Sequence, residues 1–259
     1  MNKVVILGSK PNAIVPRGDK IYCANAGFLS NEDAVATFAD RVAVASSMVL
    51  GNGLLPDSRN HEVYRQKLDA VRDAGMSRII LFGAPISPDM ATKVAAYLQA
   101  DGQNPNISVI SVVERADLVK SIAGTRYPLV DRSFYSQPFR IRMRDHWLNC
   151  RSLWDLRFGN GHLDTSPKYR PSTGILALLQ AIRENGNTAE YVLAGIGAKA
   201  RNVVKVKTFT AKLRDTPVGE IPEHVTADLI VLRNLVRRYT LSTTEQELTE
   251  VVEGLRLHP

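Results

Sequence analysis

Three short segments of this chain combine residue types and positions that suit anion binding and proton transfer. A glycine-led turn, GSKPN, begins at Gly8 directly after the apolar run VVIL. The segment RPSTG begins at Arg170 and leads into the apolar run ILALLQAI. The third segment contains His224, a few residues before leucines at helical spacing. Together they supply backbone N–H groups, hydroxyls, cations and an imidazole that titrates near neutral pH.

The turn at Gly8 stands where the first strand of an open α/β sheet would end. A glycine there lets the backbone approach a phosphate or a ribose, because such sheets bind ligands at the carboxyl ends of their strands. The sequence lacks both the GxGxxG dinucleotide fingerprint and the GxxxxGK[ST] phosphate loop. On these five residues alone, a plain strand-ending turn is an equal interpretation.

In RPSTG, Ser172, Thr173 and Gly174 stand at the predicted start of a helix, with Arg170 just before them. The N–H groups and the dipole of a helix N-terminus favour an anion such as a carboxylate. Ordinary N-capping by serine or threonine next to a proline is the alternative, and it is the commoner use of such residues.

His224 lies in PEHVTADLIVLRNLV, where Leu229, Leu232 and Leu235 follow at helical spacing. The histidine therefore stands at or before the first turn of a helix, and an imidazole there can act as a base near neutral pH. Asp228, four residues on, would share its side of the helix. A surface histidine without a role is the alternative.

Strand-like and helix-like patterns alternate along the chain. Six apolar runs read as strands buried on both faces: VVILG, IYCAN, VAVAS, RIILFG, ISVISVV and YVLAGIG. Helical patterns over residues 62–74, 91–98 and 175–182 separate several of them. The alternation predicts one α/β domain over residues 1–259, Rossmann-like and doubly wound with a mostly parallel sheet.

Two regions depart from this alternation. Residues 114–170 carry both tryptophans and several arginines, and we interpret them as an insertion or lid over the sheet edge. Within them, Arg140, Arg142 and Arg144 alternate as along one face of a strand. The tail STTEQELTEVVEGL predicts a helix capped by Thr243 or Thr244.

Composition narrows the class of protein and its partners. The net charge of +7 suits an anionic partner such as a nucleotide sugar, a nucleic acid or an anionic membrane surface. The two cysteines, Cys23 and Cys150, favour a reducing compartment over a disulfide. The start MNKVVILGSK lacks a signal peptide and no window approaches a membrane span, so we expect a cytoplasmic protein, with peripheral membrane contact as an option.

Several known site motifs are absent from the sequence. No HExxH, CxxC or histidine–cysteine cluster occurs, so a metal site is not expected. No Asp-x-Asp pair occurs, which argues for a donor with a single phosphate if the chain transfers a nucleotide-activated sugar. The GxSxG elbow of α/β hydrolases is also missing.

In order, the three segments resemble motifs of the bacterial and eukaryotic sialyltransferases. Bacterial members open with a strand, a Gly-Asn-Gly-Pro-Ser-like turn and a second strand ending in Asn; this chain has VVILGSKPN and then IYCANAGF. RPSTG satisfies both the bacterial Arg-x-Thr-Ser-Gly and the animal Pro-Ser-Thr-Gly patterns. His224, Asp228 and the leucines follow the family's third motif. The resemblance covers both ends of the chain and skips residues 54–170.

At the first motif, the resemblance places Gly8, Ser9 and Asn25 around the cytidine nucleotide of the donor. Ser9 and Lys10 stand where bacterial members carry Asn and Gly. At the second motif, it implies that Ser172, Thr173 and Gly174 hold the carboxylate or phosphate of the donor. We call these three residues the STG turn. At the third, it implies that the histidine is the general base.

The resemblance and the residues together predict an inverting, metal-independent glycosyltransferase. It would move a keto-acid sugar, sialic acid-like or Kdo, from a CMP donor to a hydroxyl of a glycan or glycolipid, with no cofactor besides the donor. His224 would be the base and Asp228 would orient it. Arg170, Lys199 and Arg201 would stabilise the departing phosphate, the last two from the stretch where bacterial members carry tyrosines.

A different class stays open at this point. The net charge and the RIRMR stretch also suit a non-catalytic nucleotide- or nucleic-acid-binding α/β protein. Nucleic-acid binding usually combines basic residues with stacking aromatics on a recognisable module, and the sequence contains none. We therefore do not expect nucleic acid as the partner.

Overall fold

The computed structural model describes residues 2–10, 13–25, 27–46, 51–58, 61–83, 88–99, 105–159, 165, 167–197 and 224–259. Eight strands form one all-parallel sheet of order β5-β4-β3-β2-β1-β6-β7-β8. They are β1 (Asn2–Leu7), β2 (Lys20–Ala24), β3 (Asp40–Ser46), β4 (Arg78–Phe82), β5 (Asn106–Ile110), β6 (Ala189–Ala194), β7 (Leu241–Thr243) and β8 (Arg256–Leu257). The Rossmann-like α/β fold predicted from the sequence is confirmed.

Helices cover both faces of this sheet. They are α1 (Glu32–Ala36), α2 (His61–Asp73), α3 (Pro88–Leu98), α4 (Val112–Ala123), α5 (Ser133–Ser136), α6 (Phe139–Phe158), α7 (Thr173–Asn185), α8 (Val225–Leu235) and α9 (Gln246–Val251). Residues of α1, α2 and α3 share one apolar cluster with the sheet, and residues of α4, α7 and α8 share the other. Since strand order reverses direction at β1, the gap between β1 and β6 is the switch point where such sheets bind ligands.

Alternation along each strand explains the two apolar layers. In β1, Val4 and Ile6 pack against the α7 side, and Val5 and Leu7 pack against the α2 side. All four are buried, and each such side chain stabilises the fold by about 1.5–3 kcal/mol. Cys23 is buried in β2 on the α2 side and is a free thiol, as is Cys150.

The first part of the predicted 114–170 insertion belongs to the helical layer of the domain. The strand in ISVISVV ends at Ile110, and Ser111 caps α4 in a capping box with Glu114. Leu118 and Val119 then lie in the same core cluster as α7, so α4 belongs to the helical layer of the domain. Of the predicted 114–170 insertion, the part with a largely exposed surface is α5 and α6.

Two local predictions were wrong. Arg140, Arg142 and Arg144 do not line a strand, because they lie in the 20-residue helix α6. In the tail, Ser242 and Thr243 belong to β7, and α9 begins three residues later with Glu245 as its N-cap. The tail strand formed because β6 offers an edge for parallel pairing, a long-range contact that local capping signals do not report. No helix in the described ranges is long and apolar enough to cross a membrane.

Candidate active site at the switch point

Three turns meet at the carboxyl edge of the sheet, after β1, β2 and β6. The Gly8 N–H donates to the Ala194 carbonyl at 2.8 Å, and the Lys10 N–H donates to the Gly195 carbonyl at 3.1 Å. A Cβ added to Gly8 would lie 2.3 Å from the Gly195 oxygen, and one added to Gly27 would lie 2.0 Å from the Gly8 oxygen. Glycine is therefore required at 8 and 27 by backbone contact between the turns, whether or not a ligand also approaches them.

The residues predicted to surround the nucleotide lie on these turns. Asn25 directly follows β2 and has a left-handed φ of 53°, a conformation that asparagine tolerates better than most residues. Its N–H donates to the Val44 carbonyl at 2.7 Å. Gly27, two residues on, would bring a Cβ within 3.4 Å of the Ser9 nitrogen. Gly8, Ser9 and Asn25 thus belong to adjoining turns at one edge of the sheet.

The start of α7 packs against this edge through Ile196. A Cβ on Gly174 would lie 3.2 Å from Ile196 Cδ1, and one on Gly8 would lie 2.7 Å from Ile196 Cγ1. The two glycines therefore make room for one side chain that follows β6. Sequence reasoning missed this residue, although the AGIG run at the end of β6 was its signal.

Ser172 is the N-cap of α7, and the structure gives all of its polar groups partners within the protein. Its Oγ accepts from the Ile175 N–H at 3.4 Å, its N–H donates to Asp228 Oδ1 at 2.7 Å, and its hydroxyl also bonds Asp228. This is the capping interpretation of the serine. The first-turn N–H groups of Thr173 and Gly174 point out of the helix end without an intrahelical acceptor.

Asp228 is half-buried beside the cap of α7. Burial raises the pKa of its carboxyl to about 7, against the opposing effect of the hydrogen bonds from Ser172. The void lined by Asp228, Ile196 and Leu232 measures about 10 Å³, room for no more than one water. Through its bonds to Ser172, the carboxyl positions the N-terminus of α7.

His224 stands at the N-cap of α8 and bonds the segment that leads into the STG turn. Its Nδ1 lies 3.2 Å from the carbonyl oxygen of Arg170, 54 residues away in sequence. Because a carbonyl oxygen only accepts, this contact fixes the proton of the neutral ring on Nδ1 and the lone pair on Nε2. The orienting group is thus the Arg170 carbonyl, whereas the sequence had assigned that role to Asp228, whose carboxyl bonds Ser172.

Lys10 and Arg170 are the described cations near these turns, and Arg170 is the one that the sequence predicted for the site. The Lys10 ammonium forms an ion pair with the buried carboxylate of Glu245, which also accepts from the Gly195 N–H at 3.0 Å. Glu245 thereby ties the loop before α9 to the switch point, a contact that the sequence did not reveal. Arg170 is half-buried beside the STG turn. Lys199 and Arg201 lie outside the described residues.

A larger cavity, about 490 Å³, lies on the opposite face of the sheet between the segment after β2 and α2. Its charged lining includes Glu32, Asp69 and Asp73 against a single arginine, Arg41. Two of these carboxylates form ion pairs, Asp69 with Arg65 and Asp73 with Arg72. In the described part of the chain, no three His, Cys, Asp or Glu side chains are grouped as metal ligands.

Comparison with known proteins adds no family to this description. No protein-family model, curated protein or solved structure matches the chain. The resemblance to the sialyltransferases therefore rests on the three sequence motifs.

Proposed function

We propose that the chain is an inverting, metal-independent glycosyltransferase that uses a CMP-activated keto-acid sugar. The observation that carries the proposal is the hydrogen bond between His224 and Arg170 at the head of the STG turn. It joins the third motif to the second at the carboxyl edge of the sheet, where the first motif also ends. Motifs that are far apart in the sequence thus lie next to each other at the switch point, which is necessary if they form a single site.

The donor would bind across this edge. Its cytidine and ribose would lie on the turns of Gly8, Ser9 and Asn25, and its carboxylate or phosphate at the first turn of α7. The N–H groups of Thr173 and Gly174 and the dipole of this 13-residue helix favour a negative charge there. Arg170 is half-buried next to that turn and would supply positive charge, with Lys199 and Arg201 as further candidates.

His224 would act as the general base on a hydroxyl of the acceptor, a glycan or glycolipid. As the hydroxyl oxygen attacks the anomeric carbon, Nε2 takes its proton and the bond from that carbon to the phosphate oxygen breaks. The electron pair of that bond leaves with CMP, and attack from the opposite face inverts the anomeric centre. Proton transfer of this kind contributes about a hundred- to ten-thousandfold in rate.

The substitution His224→Asn tests this assignment, since asparagine keeps much of the shape and removes the basicity. Transfer from CMP-sialic acid or CMP-Kdo should fall by about a hundredfold or more, while CMP binding measured by calorimetry stays near wild type. His61→Asn is the matched control, because His61 also begins a helix with Nδ1 near a carbonyl, that of Asn52 at 3.4 Å.

Near-normal transfer by His224→Asn would refute the base. Tight CMP binding by the wild type with no release of CMP from any CMP-sugar would favour the non-catalytic nucleotide-binding alternative.

A further inference from the structure

Helix α6 presents a row of large apolar side chains to solvent. At about 100° per residue, Phe139, Met143, Trp147, Trp154 and Phe158 fall within an arc of about 100° of the helix. All five are exposed, Trp147 at 58% and Trp154 at 69% of their surface. We call these five residues the aromatic stripe. Apolar surface of this extent on one helix is typical of an interaction site.

The opposite face of α6 is polar, and its side chains form hydrogen bonds with the rest of the domain. Asp145, Asn149 and Ser152 are buried there. The Tyr169 hydroxyl donates to Asp145 Oδ2 at 2.7 Å, and Thr165 donates to Asn149. The helix thus reverses the usual amphipathic arrangement, in which the apolar face turns inward. Its outward apolar face is therefore not explained by packing among the described residues.

Arginines accompany the aromatic stripe. Arg140, Arg151 and Arg157 are exposed and project from the same arc of the helix. The Arg151 guanidinium lies 5.4 Å from the ring centre of Trp147, and that of Arg157 lies 5.5 Å from the ring of Phe158. Arginine stems lie along apolar surface while their heads reach polar groups, so this surface combines aromatic rings with positive charge.

We propose that α6 docks on an anionic membrane surface, with the aromatic stripe at the level of the acyl boundary and the arginines among the headgroups. Tryptophan and phenylalanine rings bury at the boundary between headgroups and acyl chains, and long arginine side chains reach from there to the headgroups. The positive charge argues against a second copy of the chain as the partner of this surface. In a symmetric dimer interface, the same arginines of the two copies would face and repel each other. Anionic headgroups complement them.

The two tryptophans of the chain are both in the aromatic stripe, so tryptophan fluorescence, excited selectively over the tyrosines, reports on this surface. The experiment adds vesicles of phosphatidylglycerol and phosphatidylcholine in equal parts, or of phosphatidylcholine only, to the full chain without donor. Anionic vesicles should shift the tryptophan emission to the blue, brominated lipid should quench it, and added salt should weaken binding. Neutral vesicles should bind far more weakly.

Two variants separate charge from apolar contact. Replacing Arg140, Arg151 and Arg157 with glutamine should lower the vesicle partition coefficient about a hundredfold, at about fivefold for each arginine. The control replaces three exposed arginines elsewhere, Arg17, Arg237 and Arg256, which changes net charge equally and should cost only a few-fold.

The apolar variant joins Phe139→Ser to Phe158→Ser, which leaves both tryptophans in place as reporters. This variant should lower the vesicle partition coefficient at least about tenfold, because the serines cannot bury the apolar surface that the two phenylalanines bury in the membrane. Leu257→Ser, at an exposed position of β8, is the control.

Three results would overturn the proposal. They are an unchanged emission with anionic vesicles, a blue-shifted emission without lipid that follows dimerisation in ultracentrifugation, and a shift with DNA or RNA but not with vesicles. None of these measurements involves CMP or sugar transfer. A negative result would therefore refute the membrane proposal without bearing on the proposed transferase activity.

Discussion

The half-buried Asp228 provides a measurable prediction about how the stability of the fold depends on pH. In the substitution Asp228→Asn, Oδ1 still accepts the N–H of Ser172, and the amide can donate to the serine hydroxyl. The hydrogen bonds to the cap of α7 are thus kept and only the titration is removed. The variant isolates the cost of ionising a carboxyl in this position.

The magnitude follows from the shift. The pKa of Asp228 is raised from 3.8 to about 7 by burial. Between these values the folded chain holds a proton that the unfolded chain has lost, so the wild-type free energy of unfolding falls as pH rises from about 4 to about 7. At about 1.36 kcal/mol for each pKa unit, the fall is about 4 kcal/mol, and it levels off above pH 7. Asp228→Asn lacks this fall.

Urea unfolding followed by far-ultraviolet circular dichroism at several pH values between 4 and 8 measures this difference. The free energy of unfolding of Asp228→Asn minus that of the wild type should increase by up to about 4 kcal/mol across that range. The control is Asp117→Asn, at an exposed position of α4, whose difference from wild type should stay flat. If Asp228→Asn parallels the wild type throughout, the carboxyl is ionised in water and does not occupy the buried place beside Ser172.

Other substitutions test the packing of the switch point and the two roles assigned to the STG turn. Gly8→Ala should lower the melting temperature by the equivalent of about 1–3 kcal/mol, because its Cβ would lie 2.3 Å from backbone, whereas Gly51→Ala meets a flexible methionine at 3.4 Å and should cost less; equal costs would contradict the turn contact. Ser172→Ala should cost about 1 kcal/mol or more of stability through the lost cap. Thr173→Ala keeps the backbone N–H and removes a hydroxyl that would donate to the donor's carboxylate, so it should leave the melting temperature nearly unchanged and weaken donor binding about tenfold; the reverse pattern would exchange the roles of these two residues.

The sequence predicted the central sheet well because its strands are buried on both faces. Runs such as VVIL and IILF are apolar at every position, and each lies in a strand that has neighbours on both sides in the sheet. The same reasoning missed β7 and β8, the two strands of the tail. In the tail, β7 is three residues long, and its pairing with β6 is a long-range contact without local periodicity.

The sequence motifs predicted which segments form the candidate site, but they did not predict the hydrogen bonds and ion pairs within it. RPSTG marked a helix start correctly, but the partner of Ser172 is Asp228, 56 residues away, and that of Lys10 is Glu245, 235 residues away. Only the fold brings such pairs together. The sequence did not predict helix α6 for a different reason. Its polar side faces inward and its apolar side outward, and its alternating arginines give the pattern expected of a strand.

The most direct test of the proposed function is the release of CMP from CMP-sialic acid and CMP-Kdo by the wild-type protein in the presence of EDTA. Both nucleotide and sugar products are measured by mass spectrometry, with a mixture of glycan and glycolipid acceptors supplied. We predict CMP release coupled to a glycosylated acceptor, at a rate that EDTA does not change. Turnover that EDTA abolishes, or no turnover with either donor, would contradict a metal-independent CMP-sugar transferase.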